Sequence, residues 1–208
     1  MSGTGKSTWS VKLAERGFRR FCCDEMITDK LSPELVGPDR NAMSVGEWMG
    51  FPYEPHYTER ESRYLMCEME VLDEICAYLG DAKTDPGESV VVDTTGSVIY
   101  TGEEALGKLR RHTVVVHLAT PPKAWGKMLQ AYLANQRPVL WRGLFSQEAN
   151  ESVEEALARC YPKLLSAREQ LYERWAHVIV DYDTRQGSFG VDDLLELVHD
   201  QKSGRARR

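Results

Sequence analysis

The sequence has no Cys-x-x-Cys pair, no His/Cys spacing of the kind that holds zinc, and no apolar run near the roughly 20 residues that cross a bilayer. Its five cysteines, Cys22, Cys23, Cys67, Cys76 and Cys160, therefore read as reduced thiols of a cytoplasmic compartment. No segment reads as a signal peptide, although a targeting segment upstream of Met1 would escape this reading. A positive surplus is missing too. The 26 Lys and Arg against 32 Asp and Glu leave a formal net charge of −6, which excludes a broad basic face for nucleic acid. Any affinity for phosphate has to come from local groups. There is no internal repeat and no low-complexity stretch, so 208 residues make one domain over 1–200, and Lys202 to Arg208 read as a basic, frayed tail. A monomer that takes a small molecule, with no nucleic acid and no membrane, is the expectation.

What is present begins at the first residues. Met1-Ser2-Gly3-Thr4-Gly5-Lys6-Ser7-Thr8 ends in the last three positions of the phosphate-binding pattern G-x-x-x-x-G-K-[ST]. Successive backbone N–H groups of such a turn cradle an anion, helped by the positive end of the helix that follows. Lys6 is placed to reach the β- and γ-phosphates of a nucleotide, and the Ser7 hydroxyl to coordinate Mg²⁺. A Gly/Ser-rich leader arises by chance as well. Here, however, Ser7 to Arg16 continues as a helix with Trp9, Leu13 and Ala14 on one face and Gly17 as its stop. Counting back from Gly5 puts the opening glycine of the pattern one residue before Met1. A buried strand leads into such loops. The expectation is thus a sheet without its first, central strand, and weak stability or poor ATP affinity next to an N-terminally extended chain.

Further along, Phe18 to Cys23 is a strand candidate with Asp24 at its carboxyl end, the edge where open α/β sheets bind ligands. Residues 24–39 read as loop or short helices, and Gly46-Glu47-Trp48 with Pro52 and Pro55 as irregular chain. Tyr57 to Leu79 is a long helical pattern, and Lys83 to Gly87 a turn. Ser89 to Val92 is a buried strand that delivers Asp93 to the same edge, where it can support Mg²⁺ or merely begin a turn. A helix over Gly102 to Arg111 and a strand over Thr113 to Leu118 follow. Trp125, Met128, Leu129 and Leu133 then mark a helical face, broken at Gln136 to Gly143. Ser152 with Glu155 is a capping box that opens a helix to about Trp175, followed by the strand Ala176 to Asp181 and a helix over Val191 to His199. Strands alternating with helices imply an α/β fold, a parallel sheet with helices on both faces.

Several segments in one order are similar to the shikimate kinases, small P-loop members of the nucleoside-monophosphate-kinase-like group. Gly3-Thr4-Gly5-Lys6-Ser7-Thr8, Asp24, the Gly46-Glu47 pair, Arg137-Pro138-Val139-Leu140 and the Arg168 to Glu173 run carry the resemblance. It implies a P-loop NTPase three-layer fold, a substrate segment over about 24–80 and an ATP lid over about 124–150. In that family Asp24's counterpart holds the substrate hydroxyls, the lid arginine matching Arg137 neutralises phosphate charge, and the arginine matching Arg168 clamps the substrate carboxylate. The chain departs from the pattern on the acceptor side. Cys22 replaces the first aspartate of Asp-x-Asp, and Thr94-Thr95-Gly96 stands where a glycine triplet meets substrate. The second carboxylate-binding arginine has no clean counterpart, since Arg60 and Arg63 lie near its place without its motif.

The expected function is an ATP-dependent phosphotransferase acting on a hydroxyl of a small anionic metabolite, shikimate or a related compound. Gly3 to Thr8 and Arg137 would bind ATP, Lys6 and Arg137 would neutralise developing charge, and Ser7 and Asp93 would hold Mg²⁺. Asp24 would orient or deprotonate the acceptor, with Gly96 and Arg168 beside it. A kinase of another small polyol or sugar acid, or a nucleotide-binding regulatory protein without phosphotransfer, are the alternatives.

Overall fold

A computed structural model describes residues 3–37, 41–81, 87–135 and 137–205. The turn expected at Lys83 to Gly87 falls almost wholly outside them. The chain is mixed α/β. Its elements are α1 Lys6–Ala14, β1 Arg19–Cys22, α2 Cys23–Leu31, α3 Val45–Met49, α4 Tyr57–Gly80, β2 Val90–Asp93, α5 Glu103–His112, β3 Val116–Leu118, α6 Trp125–Ala134, α7 Val153–Trp175, β4 Val178–Val180 and α8 Val191–Arg205.

The long helices form where an apolar stripe and a cap coincide. α7 opens on a reciprocal capping box, Glu155 N–H donating to Ser152 Oγ at 3.2 Å and Ser152 N–H to Glu155 Oε2 at 2.8 Å. α3 uses the same device with Ser44 and Glu47, in a stretch that reads as irregular in sequence. Its two prolines lie beyond the helix, which ends before them. Residues from Cys23 onward wind directly into α2, and α8 continues to Arg205, past Lys202 where the composition suggests a frayed tail.

The strands pair in parallel, but as two ribbons. β1 lies beside β2 with Arg19 opposite Val90 and Cys22 opposite Asp93; β3 lies beside β4 with Val116 opposite Val178 and Leu118 opposite Val180. Among the described residues no ladder joins β2 to β3. Val91 and Val116 nevertheless pack in one small core with Leu13 of α1, Val178 and Val180 of β4 and Leu194 of α8. The alternate strand positions point the other way. Phe21 and Val92 join the larger core of α2, α4, α5 and α7, and His117 stacks on Tyr172 of α7 with ring centroids 5.1 Å apart. Helices therefore cover both faces of the strands. The expected single sheet is replaced by two ribbons around a shared apolar seam. All five cysteines are unpaired and buried, and among the described residues no helix is long and apolar enough to cross a membrane.

Candidate functional site

The Gly-rich loop turns into α1 through backbone angles that glycine supplies. Gly3 has φ 80° and Gly5 φ 93°. A Cβ at Gly3 would meet nothing within 4 Å, and at Gly5 only Trp9 Cδ1 at 3.9 Å, so conformation and not space requires glycine there. No side chain caps the helix, and its first turn carries no acidic residue. The first internal bond available runs from Trp9 N–H to Gly5 C=O, which leaves the N–H groups of Lys6, Ser7 and Thr8 without a carbonyl of their own helix. An open, positive helix end of this kind suits an anion.

A cleft of about 550 Å³ lies against this loop. Gly3 to Thr8 form one wall; Asp24 and Thr28 of α2, Ser44 to Gly46 at the start of α3, Tyr64 of α4, Thr95 and Gly96 after β2, Arg137 to Val139, and Arg168 of α7 form the rest. The sequence places the loop, the strand-end carboxylate, the lid arginine and the helix arginine far apart, and the fold brings their side chains to one cavity. A second groove of about 710 Å³, between α5 and α8, contains none of these residues.

Charges inside the cleft are set by partial removal from water. Burial lowers the pKa of Lys6, against the pull of Asp24 and Asp93. Although the Asp24 side chain is exposed to the cleft, surrounding protein and the neighbouring Asp93 raise its pKa, and Lys6 and the Tyr64 hydroxyl hold it back. Arg168 is 4 % exposed. It donates from an Nη to Leu140 C=O at 2.6 Å, lies 5.5 Å from the Tyr100 ring centre, and has a buried Nε without a partner among the described residues. Burial opposes its charge, but Tyr172 and Tyr100 outweigh that, and its pKa is raised. A planar guanidinium at a cleft wall, with a donor to spare, fits a bidentate anion.

Asp93 is the sequence candidate that does not line the cleft. Its Oδ2 accepts from Arg20 at 3.1 Å and lies 2.9 Å from Ser10 Oγ, and its buried Oδ1 has no partner among the described residues. Ser10 Oγ also lies 3.0 Å from the carbonyl of Ser7, so the two residues read as Mg²⁺ ligands share a neighbour. Among the described residues no group of three His, Cys, Asp or Glu is arranged for a metal ion. Mg²⁺ on nucleotide phosphates needs only one or two protein oxygens; of the expected pair, Ser7 lines the cleft, whereas Asp93 does not and keeps its unpartnered Oδ1 buried.

The segment read as a lid is tied down over Val139 to Arg142. Val139, Leu140 and Trp141 are buried; the Tyr57 hydroxyl meets Val139 C=O at 2.7 Å and accepts Trp141 N–H at 2.8 Å, and Glu61 accepts Arg142 N–H at 2.9 Å. Among the described residues of this stretch that line the cleft, Arg137 is the exposed one.

Sequence reasoning missed Tyr64, Glu68, Ser97, Ser10 and Arg20, and took Thr95 only as part of the altered glycine triplet. For Glu68 a signal exists. It falls in the buried stripe Tyr64, Cys67, Val71, Leu72, Ile75 of α4, where a charge has to have a purpose or a partner. Compared with known protein families and with curated proteins, the sequence has no match.

Proposed function

We propose that this chain is a P-loop small-molecule kinase of shikimate kinase-like type, which moves the γ-phosphoryl group of ATP to a hydroxyl of a small anionic metabolite. One observation carries the reading: the glycine loop with Lys6, the carboxylate of Asp24, and the guanidinium groups of Arg137 and Arg168 all face a single cleft. The loop N–H groups and Lys6 bind the phosphates, and Arg137 at the mouth balances the charge that develops on transfer. Asp24 orients the acceptor hydroxyl and takes its proton, a task that a raised pKa suits. Arg168 grips the acceptor's anionic group. Ser7, with Asp93 linked to it through Ser10, would hold Mg²⁺, which would supply neutralisation of phosphate charge. Such a protein acts as a cytoplasmic monomer.

The acceptor need not be shikimate. Thr95, within the stretch that stands where the shikimate kinases carry a glycine triplet, and Ser97 just after it point hydroxyls into the core, and Arg168 is the one buried arginine among the described residues lining the cleft. A smaller polyol or sugar acid with one anionic group fits this asymmetry.

Coupled ATP turnover against a panel of hydroxy acids and sugar acids, with MgATP affinity measured in parallel, tests the proposal. Turnover on at least one acceptor is expected, with MgATP affinity at least about tenfold weaker in Lys6→Ala. MgATP binding without turnover on any acceptor would leave a regulatory nucleotide-binding protein. Absence of binding in a folded protein would remove the P-loop reading itself.

A further inference from the structure

Behind the glycine loop, a half-buried arginine is bonded to carbonyl oxygens alone. Arg185 sits in a single 3-10 turn, Thr184–Gln186, between β4 and α8. Its Nη1 donates to Thr4 C=O at 2.6 Å and its Nη2 to Ala119 C=O, while its buried Nε has no partner among the described residues. Its guanidinium lies 5.7 Å from the ring centre of Tyr182. Among the described residues no carboxylate comes within ion-pair distance of it; Asp181 and Glu169 act on it only from further off, and burial lowers its pKa. The turn itself is held firmly. Ala119 N–H donates to Val180 C=O at 3.1 Å, which fixes the end of β3 against β4, and Lys123 pairs with Asp183 at 2.8 Å. Arg185 thus ties the glycine loop to the carboxyl end of the β3 and β4 ribbon, and it belongs to no segment that carries the resemblance to the shikimate kinases.

The bond to Thr4 decides where the next amide points. In a trans peptide the C=O and the following N–H share a plane and point in opposite directions, and among the described residues no peptide is cis. Holding Thr4 C=O toward Arg185 therefore turns Gly5 N–H away from it. Thr4 and Gly5 line the cleft and Arg185 does not, so the direction away from Arg185 is the cleft side. Gly5 N–H has no hydrogen-bond partner among the described residues. The plane needs a support, because a glycine at φ 93° leaves the peptide before it free to turn. Charge acts at the same place. A charge-assisted bond to the carbonyl polarises the peptide and makes its N–H a stronger donor. A partly buried cation without a counter-ion is also unfavourable until an anion comes near, and a phosphate in front of the loop meets both demands.

We propose that Arg185 is a positioning residue of the phosphate loop: through Thr4 C=O it aims Gly5 N–H at a bound polyphosphate and lends that anion its charge. The inference rests on the reading of residues 3–8 as a phosphate loop, and needs neither the acceptor nor phosphoryl transfer.

Calorimetric titration of the wild type and its variants with MgATP and with inorganic tripolyphosphate tests this. Arg185→Ala should weaken both probes by one common factor of about tenfold, since the loss lies at the phosphates and not at the base. Arg185→Lys keeps the charge but not the planar fork, and should be about threefold weaker for both. Lys123→Ala loosens the same turn without touching the loop, and should stay within about twofold of the wild type. In the ligand-free protein the amide nitrogen NMR signal of Gly5 should move in Arg185→Ala and stay in place in Lys123→Ala. Undiminished tripolyphosphate affinity in a folded Arg185→Ala, a loss confined to MgATP, or an unmoved Gly5 signal overturns the proposal while leaving the phosphate loop intact. If Arg185→Ala does not fold, Arg185→Lys carries the test, and undiminished affinity there overturns it. Probes that bind with no turnover on any acceptor would remove the kinase reading and leave the role of Arg185 standing. A wild type that binds neither probe would remove the phosphate loop and this role with it.

Discussion

Glu68 of α4 is 1 % exposed, with the Thr95 and Ser97 hydroxyls on its two oxygens, and carries the clearest consequence for stability at the level of a single residue. Its folded-state pKa is raised from 4.5 to about 7, so the native state holds this proton more tightly than the unfolded chain does. The stability it contributes is complete below about pH 4.5 and is lost as pH rises through about 7. Between pH 5 and 8 the urea midpoint of the wild type should therefore fall relative to Glu68→Gln, whose amide keeps the shape and does not titrate. Equal pH slopes for the two proteins would contradict the assignment. Of the residues that line the cleft, Lys6 was legible in sequence through the glycine-loop pattern, and Asp24 and Arg168 through the resemblance to the shikimate kinases. The hydroxyls of Tyr64, Thr95 and Ser97 were not, since a hydroxyl becomes informative only when its partner is known.

Elements form here through caps and anchors more than through propensity. Ser152→Ala removes the hydroxyl that holds the first turn of α7, and should lower stability by about 1 kcal/mol in denaturant unfolding; Ser44→Ala at α3 should cost a similar amount. The first box stands out in sequence because a long apolar pattern follows it, whereas the second precedes only five helical residues and is hidden by Pro52 and Pro55. A different device fixes the segment after Arg137. One hydroxyl, that of Tyr57, serves Val139 C=O, Trp141 N–H and Glu61, all buried. Tyr57→Phe strands Val139 C=O and Trp141 N–H, while Glu61 keeps the N–H of Arg142, and should cost about 1–3 kcal/mol. It should also raise proteolytic cleavage between Arg137 and Phe145; unchanged cleavage would mean that the remaining packing of Leu140 and Trp141 suffices.

At the scale of the molecule, two apolar clusters divide the work. The larger, under α4 and α7, contains Leu164 at 0 % exposure, and Leu164→Ala should cost about 2–5 kcal/mol. The smaller has few members, and Leu13, at 8 % exposure, should cost less when cut to Ala. Unfolding midpoints of the two variants measure the difference, and a larger loss at Leu13 would show the small seam to be the more important. The sequence by itself determined the alternation of strands and helices, the glycine loop, the capped α7 and the carboxylate of Asp93 at the end of β2, because periodicity, caps and turn chemistry act over a few residues; Asp24, expected at a strand end, lies in the first turn of α2. Only the tertiary structure decided that the strands pair as two ribbons, that Asp93 turns to Ser10 and Arg20, and that a buried Glu68 receives the hydroxyls of Thr95 and Ser97. Those outcomes depend on contacts between residues tens of positions apart, whose energies belong to neither partner alone.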